Sequence, residues 1–222
     1  MLAYETIAVA RIGDGSELVL SRRGHEWSVR VGGKILMSSA MHDSEESLAS
    51  EAIARVDRAE RVLIGGLGLG FTLRAVLDLV PTQARVTVGE LVPELVEWNR
   101  HHLADLHRHA LDDPRCDVVV GDVLDAIRRA RAAFDVILLD VDNGPVALSQ
   151  PENHDLYSPR GLAQCHAALR GGGVLAVWSA GASPSFEARM RSAGFEAEAL
   201  KVPARRGKGA RHVLFLGKRP RD

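Results

Sequence analysis

One short segment constrains this chain more than any other: an apolar run that empties into glycines, Val62-Leu63-Ile64-Gly65-Gly66-Leu67-Gly68-Leu69-Gly70. It reads as a buried strand that turns, almost without side chains, into a helix. Glu90 follows twenty residues past the last glycine. Bare backbone at such a turn lets a nucleoside cofactor come close, and a downstream acid can accept both ribose hydroxyls. Gly65, Gly66, Gly68, Gly70 and Glu90 are therefore candidate cofactor-binding residues. Glycine turns also arise simply to pack a strand against a helix, so the surrounding framework has to decide.

That framework alternates. The pattern predicts strands at 61–66, 85–91, 116–122, 134–140 and 173–179, with helices at 45–57, 70–80, 93–110, 123–132, 159–170 and 184–193. Val136-Ile137-Leu138-Leu139 has no polar alternation, as expected of parallel strands covered on both faces. Two closing strands, 196–202 and 212–217, flank a basic connection that carries Arg205, Arg206, Lys208 and Arg211. The expected fold class is α/β, a doubly wound, seven-stranded, mostly parallel sheet. Before residue 44 the chain reads differently, with β-type runs at 5–12, 18–21 and 27–37 broken by Gly-Asp-Gly, Arg-Arg-Gly and Gly-Gly. The organisation expected is a small N-terminal β subdomain over 1–43 and a cofactor-binding domain over 44–222.

A chain of 222 residues can bury one main core with an appendage. Its 28 Lys and Arg against 29 Asp and Glu argue against a nucleic-acid or membrane-surface footprint for the whole protein. No apolar run approaches the roughly 18 residues needed to span a bilayer, and the N-terminus lacks a secretory pattern, so a cytoplasmic protein is expected. Cys116 and Cys165 read as reduced, buried thiols. His101, His102, His107 and His109 contain no i, i+4 pair, so they read as a solvated helix face, and no metal is expected.

In an open parallel sheet, ligands sit beyond the carboxyl ends of the strands. Here the second strand ends in Glu90, the third in Gly121-Asp122 and the fourth in Asp140-Val141-Asp142-Asn143. Acids at three successive strand ends are hard to explain as packing, because an unpaired carboxylate near a core is expensive. They suggest contacts to ribose, to the adenine amine and to the reaction centre. Capping of the following helix is the other reading of Asp122. The loop 143–157, with Gln150, Glu152, Asn153, His154 and Asp155, is long enough to act as a lid.

Over roughly 36–218 the chain resembles the S-adenosylmethionine-dependent (Rossmann-like) methyltransferase fold, and within it the spermidine synthase-like branch. The resemblance rests on the glycine loop, on Val88-Gly89-Glu90-Leu91, on Asp112-Asp113-Pro114-Arg115 with Val120-Gly121-Asp122, and on Phe134 through Asp140 followed by Asn143-Gly144-Pro145. Leu156-Tyr157-Ser158 and Leu169-Arg170-Gly171-Gly172-Gly173-Val174-Leu175 complete it. It implies Asp140 as general base and cofactor contact, Asp142 as a second catalytic acid, and Asn143, His154, Asp155 and Tyr157 on the acceptor side. It also implies a homodimer. A nicotinamide dehydrogenase fits less well, since its last two glycines are spaced by two residues and these by one.

Three departures bear on the reaction. Gly68 stands where the branch's polyamine-making members carry an acid for the amine of decarboxylated S-adenosylmethionine, their Tyr-His-Glu segment is missing at 47–51, and Asp142 is shifted by one. The expectation is therefore methyl transfer from S-adenosylmethionine to a small-molecule acceptor. Aminopropyl transfer from the decarboxylated form is the alternative, and a non-catalytic cofactor-binding protein a second. The basic connection gives some support to nucleic-acid modification, but it lacks interleaved aromatics for stacking bases.

Overall fold

The computed structural model describes residues 3–12, 15–141, 155–205 and 209–221. The N-terminal part is an antiparallel meander of β1 (Glu5–Arg11), β2 (Glu17–Arg23), β3 (Glu26–Val31) and β4 (Lys34–Ser38). Gly32 and Gly33, at φ +54° and +78°, form a two-residue turn that divides the single run expected over 27–37 into two strands. Left-handed residues at both turn positions match the twist of a tight hairpin, which is why glycines stand there.

The remainder alternates as α1 (Asp43–Ile53), β5 (Arg61–Gly65), α2 (Phe71–Leu79), β6 (Arg85–Glu90), α3 (Pro93–His101), β7 (Cys116–Val120), α4 (Val123–Arg129), β8 (Phe134–Leu139), α5 (Pro159–Ala168), β9 (Leu169–Ser179), α6 (Pro184–Ser192), β10 (Glu196–Pro203) and β11 (Arg211–Lys218). The strands form one seven-stranded sheet in the order β10-β11-β9-β8-β5-β6-β7. Pairing is parallel from β9 to β7, whereas β11 runs antiparallel to both β9 and β10. The order reverses between β5 and β8, so the crevice above those strand ends is where a ligand is expected.

Successive side chains of a strand point to opposite faces, and each face has its own core. Val62, Ile64, Val136 and Leu138 pack with Leu48 of α1 and Leu73 and Leu77 of α2. Leu63, Ile137 and Leu139 pack with Ile127 of α4, Leu162 of α5 and Phe186 of α6. Both layers must be apolar, which explains the unbroken runs. In a third cluster, Leu18, Leu20 and Val29 of the small sheet meet Leu69, Leu95, Trp98 and Leu103.

Two expectations are corrected here. α3 stops at His101, nine residues short of the expected 110, and the chain then turns through Arg108 and His109 at φ +50° and +55°. His107 is not on a solvated face but buried, with Nδ1 accepting the Ala110 N–H at 3.0 Å and Nε2 lying 3.3 Å from the Asn99 carbonyl. Burial holds its pKa below the ordinary histidine value. His101, His102 and His109 are exposed. Cys116 and Cys165 are free thiols, both pushed up to about 12 chiefly by burial. Among the described residues, no helix is long and apolar enough to cross a membrane.

Candidate active site

The glycine loop is shaped by what lies against it. Gly66 sits at φ +90°, and a Cβ there would lie 2.4 Å from the carbonyl oxygen of Asp140. At Gly70, φ +84°, a Cβ would meet the ring of buried His107 at 2.6 Å. Both positions need glycine for space and for conformation. Gly68, at φ +54°, is different: a Cβ would find only the Met37 sulfur, at 3.5 Å. Its carbonyl accepts from Nδ2 of the buried Asn99 at 2.9 Å, and Asn99 also donates to the Leu95 carbonyl at 2.8 Å. The loop is thus clamped from α3. Gly65 ends β5, and its carbonyl accepts the Asp140 N–H at 2.9 Å, which joins the loop to the fourth strand end.

Glu90 is buried at the end of β6. Its Oε2 accepts the Leu67 N–H and its Oε1 the Val92 N–H, each at 2.8 Å. A carboxylate has about four acceptor sites, so two backbone bonds orient it without using its capacity. Leu91 and Val120 beside it are exposed apolar side chains. Gly121 follows β7 and donates to the Glu90 carbonyl at 2.8 Å. Asp122 caps α4, with Oδ1 accepting the Leu124 N–H at 2.8 Å, so its helix-capping reading holds whatever else it contacts.

Asp140 follows β8 and accepts from the buried Thr72 hydroxyl at 2.6 Å. Glu45, in the first turn of α1, lies in its field. Burial first, and then the negative charge of Asp140, push the Glu45 carboxyl up to about 8. Ser44 Oγ lies 2.6 Å from Glu45 Oε2, 2.9 Å from His212 Nδ1 and 3.0 Å from Nε1 of Trp178. Ser44 is fully buried, and the His212 and Trp178 rings meet edge to face at 4.6 Å. Nearby, His42 stacks on Phe71 at 4.1 Å and pairs with Glu46 at 3.0 Å.

Glu45, Ser44, Thr72 and Asn99 were not legible as site residues. Asp43-Ser44-Glu45-Glu46 looks like an ordinary acidic helix start, favourable at the positive end of the dipole. Of the acceptor-side candidates, Tyr157 has its ring buried in the core, edge-on to Phe186 at 5.6 Å. Asp155 is exposed, with its carboxylate 3.6 Å from Arg128. Asp142, Asn143 and His154 lie outside the described residues, as do Arg206 and Lys208. Arg205 and Arg211 are exposed at the edge where β11 begins, opposite the end of β9. A wide concavity of about 720 Å³ between the segment after α1, the end of α6 and β10 is lined by Arg55, Arg191 and Glu198, and none of the strand-end acids reaches it.

The model of the spermine/spermidine synthase domain matches residues 41–191, which covers most of the sheet and every strand-end acid. The chain belongs to the spermine/spermidine synthase domain family. Among curated relatives of this family, polyamine aminopropyltransferase 2 of Pseudomonas aeruginosa is 38% identical over 144 residues, which cover 61% of this chain and 39% of the relative. Polyamine aminopropyltransferase 1 of Hyperthermus butylicus is 32% identical over 175 residues, covering 76% of this chain and 58% of the relative. This chain therefore spans less than two thirds of either relative. The crystal structure of spermidine synthase from Thermotoga maritima superposes with a TM-score of 0.77 at 19% identity, over 98% of this chain and 73% of that one, a likeness of fold.

The family overturns the expectation of methyl transfer from S-adenosylmethionine, since its model and these relatives are named for polyamine synthesis. That expectation rested on the absent acid at Gly68, the missing segment at 47–51 and the shift of Asp142. It overlooked Glu45, whose carboxyl lies in the field of Asp140.

Proposed function

We propose that this chain is a polyamine aminopropyltransferase of the spermidine synthase type, moving the aminopropyl group of decarboxylated S-adenosylmethionine onto a small diamine. The observation that carries the reading is Asp140 at the strand end that holds the glycine loop, with the buried Glu45 of α1 in its field. Two carboxyls in one another's field suit an acceptor that arrives as a cation, and family membership supports the same chemistry.

The residues present fit the nucleoside. Gly66 leaves backbone where a Cβ would collide, Glu90 is oriented to accept a ribose diol, and exposed Leu91 and Val120 offer an apolar flank to a purine. The bound sulfonium supplies an electrophilic methylene. Asp140 takes a proton from the acceptor ammonium and leaves a free amine, while Thr72 fixes the carboxylate that does so. The amine nitrogen then bonds to the methylene as the carbon–sulfur bond breaks, the electron pair stays on sulfur as a neutral thioether, and the product nitrogen carries the positive charge. General-base assistance of this kind is typically worth about 10² to 10⁴-fold.

Calorimetric titration with both forms of the cofactor tests the reading, followed by mass analysis after addition of putrescine. Tighter binding of the decarboxylated form and appearance of spermidine are expected. Preference for the carboxylated form, with no aminopropyl product from any diamine, would overturn it.

A further inference from the structure

Ser44 has an unusual set of neighbours for a buried hydroxyl. Three polar groups surround it at hydrogen-bond distance, namely Glu45 Oε2 at 2.6 Å, His212 Nδ1 at 2.9 Å and the Trp178 indole nitrogen at 3.0 Å. A serine hydroxyl has one proton to give and two lone pairs to receive with. The indole can only donate, so it takes one lone pair. What remains is one donation and one acceptance, shared between a carboxyl and an imidazole.

Both assignments are complete. With Glu45 protonated, its O–H donates to Ser44, which donates to the unprotonated Nδ1 of a neutral His212. With Glu45 ionised, Ser44 donates to the carboxylate and accepts from Nδ1–H. The chain can reverse without leaving a polar group of this triad unpaired, and each half-filled alternative would be penalised by burial. Its outer end is the more open one. His212 is the second residue of β11, half-buried beside exposed Arg211, and its strand partner on β10 is the uncharged Val202. At its inner end Glu45 lies in the field of Asp140, with Asp43 as the other charge acting on it.

We propose that Glu45, Ser44 and His212 form a proton relay that sets the charge beside Asp140. As a cationic acceptor arrives, the Glu45 proton passes to Ser44 while the Ser44 proton passes to Nδ1 of His212, and the imidazolium releases a proton to water. Ionised Glu45 then leaves a full negative charge beside Asp140, which anchors the cation and makes Asp140 the stronger base. Ser44 and His212 are positioning residues in this scheme. The inference rests on the aminopropyltransferase reading for its purpose, but not for its existence.

The test has two arms. In the first, nitrogen NMR of labelled histidine follows the His212 tautomer over about pH 6 to 10, the range in which neutral imidazole tautomers and a raised carboxyl are both visible. His212 is expected to pass from the Nε2–H to the Nδ1–H form as Glu45 ionises, and Ser44→Ala is expected to abolish the change. A tautomer that stays fixed while the Glu45 carboxyl titrates, or that still switches in Ser44→Ala, overturns the relay. In the second arm, Ser44→Ala is expected to lower kcat about tenfold below the Glu45 midpoint and to recover above it, where no proton need leave. An equal loss at every pH marks a structural effect and overturns the proposal, as does an unchanged profile. His212→Phe keeps the ring against Trp178 and is read the same way if Ser44→Ala does not fold. Absence of any aminopropyl transfer by the unmodified enzyme would defeat the functional reading alone, because the tautomer arm decides the relay without turnover.

Discussion

Glu90 is committed before a ligand arrives, since both its oxygens already hold loop N–H groups. Glu90→Gln keeps the shape but turns an amide N–H₂ toward one of those donors. Nucleoside affinity is expected to fall by about 1.5 to 3 kcal/mol, the scale of hydrogen bonds to a charged group, as read by calorimetry on folded protein. Asp140→Asn is expected to separate binding from turnover, with cofactor affinity nearly intact and kcat lower by about 10²-fold or more. Equal losses in both would make Asp140 a cofactor-positioning group instead. Gly68 offers a gain rather than a loss. Its left-handed conformation is one that Asp tolerates, and the space above it is open to Met37. If the resembling family's acid is what this position lacks, Gly68→Asp should tighten binding of the decarboxylated cofactor about tenfold or more, against little change for the carboxylated form.

The contrast between neighbouring glycines belongs to the strand-loop-helix element as a whole. Gly66→Ala drives a Cβ into the Asp140 carbonyl, so the β5 and β8 ends must part, and a lower melting temperature with loss of cofactor binding is expected. Gly68→Ala meets no such backbone. If the two variants melt alike, the close approach at Gly66 is not what fixes the loop. The elements themselves were readable because their signals are local: Val136 to Leu139 is apolar on both faces, and glycines end β5. Failures fell where a local pattern was ambiguous or a distant contact ruled. α3 lost its last turns because residues 102–109 curl to bury His107 against Gly70, which no periodicity in that stretch announces. Glu45 looked like a solvated helix-start acid. Only the packing of α1 on α2 and the sheet places it in the field of Asp140. Gly68 carries no side-chain acid, yet one absent partner does not define a reaction when the family model over 41–191 is that of the spermine/spermidine synthases.

At the scale of the molecule, the Glu45 carboxyl makes stability depend on pH. Its pKa is raised on folding from its ordinary value of 4.5 to about 8, so the folded state binds more protons than the unfolded one between those limits. Its contribution is full below the lower value, declines as pH rises toward the upper, and is level above it. Glu45→Gln should flatten this slope, so that its melting temperature gains on the parent by a few degrees near pH 8 and by little near pH 5. A parallel pair of stability curves would show that Glu45 ionises freely in the fold. The small sheet enters at the same scale through Asn99. Leu18, Leu20 and Val29 are packed with Leu95 and Trp98 of α3, and the next residue on that helix grips the Gly68 carbonyl. The meander therefore acts as a splint: it braces α3 from behind, and α3 in turn keeps the bare backbone of the glycine loop from wandering. Loosening Leu20 or Val29, two contacts removed from Gly68, would be felt as a slacker glycine loop.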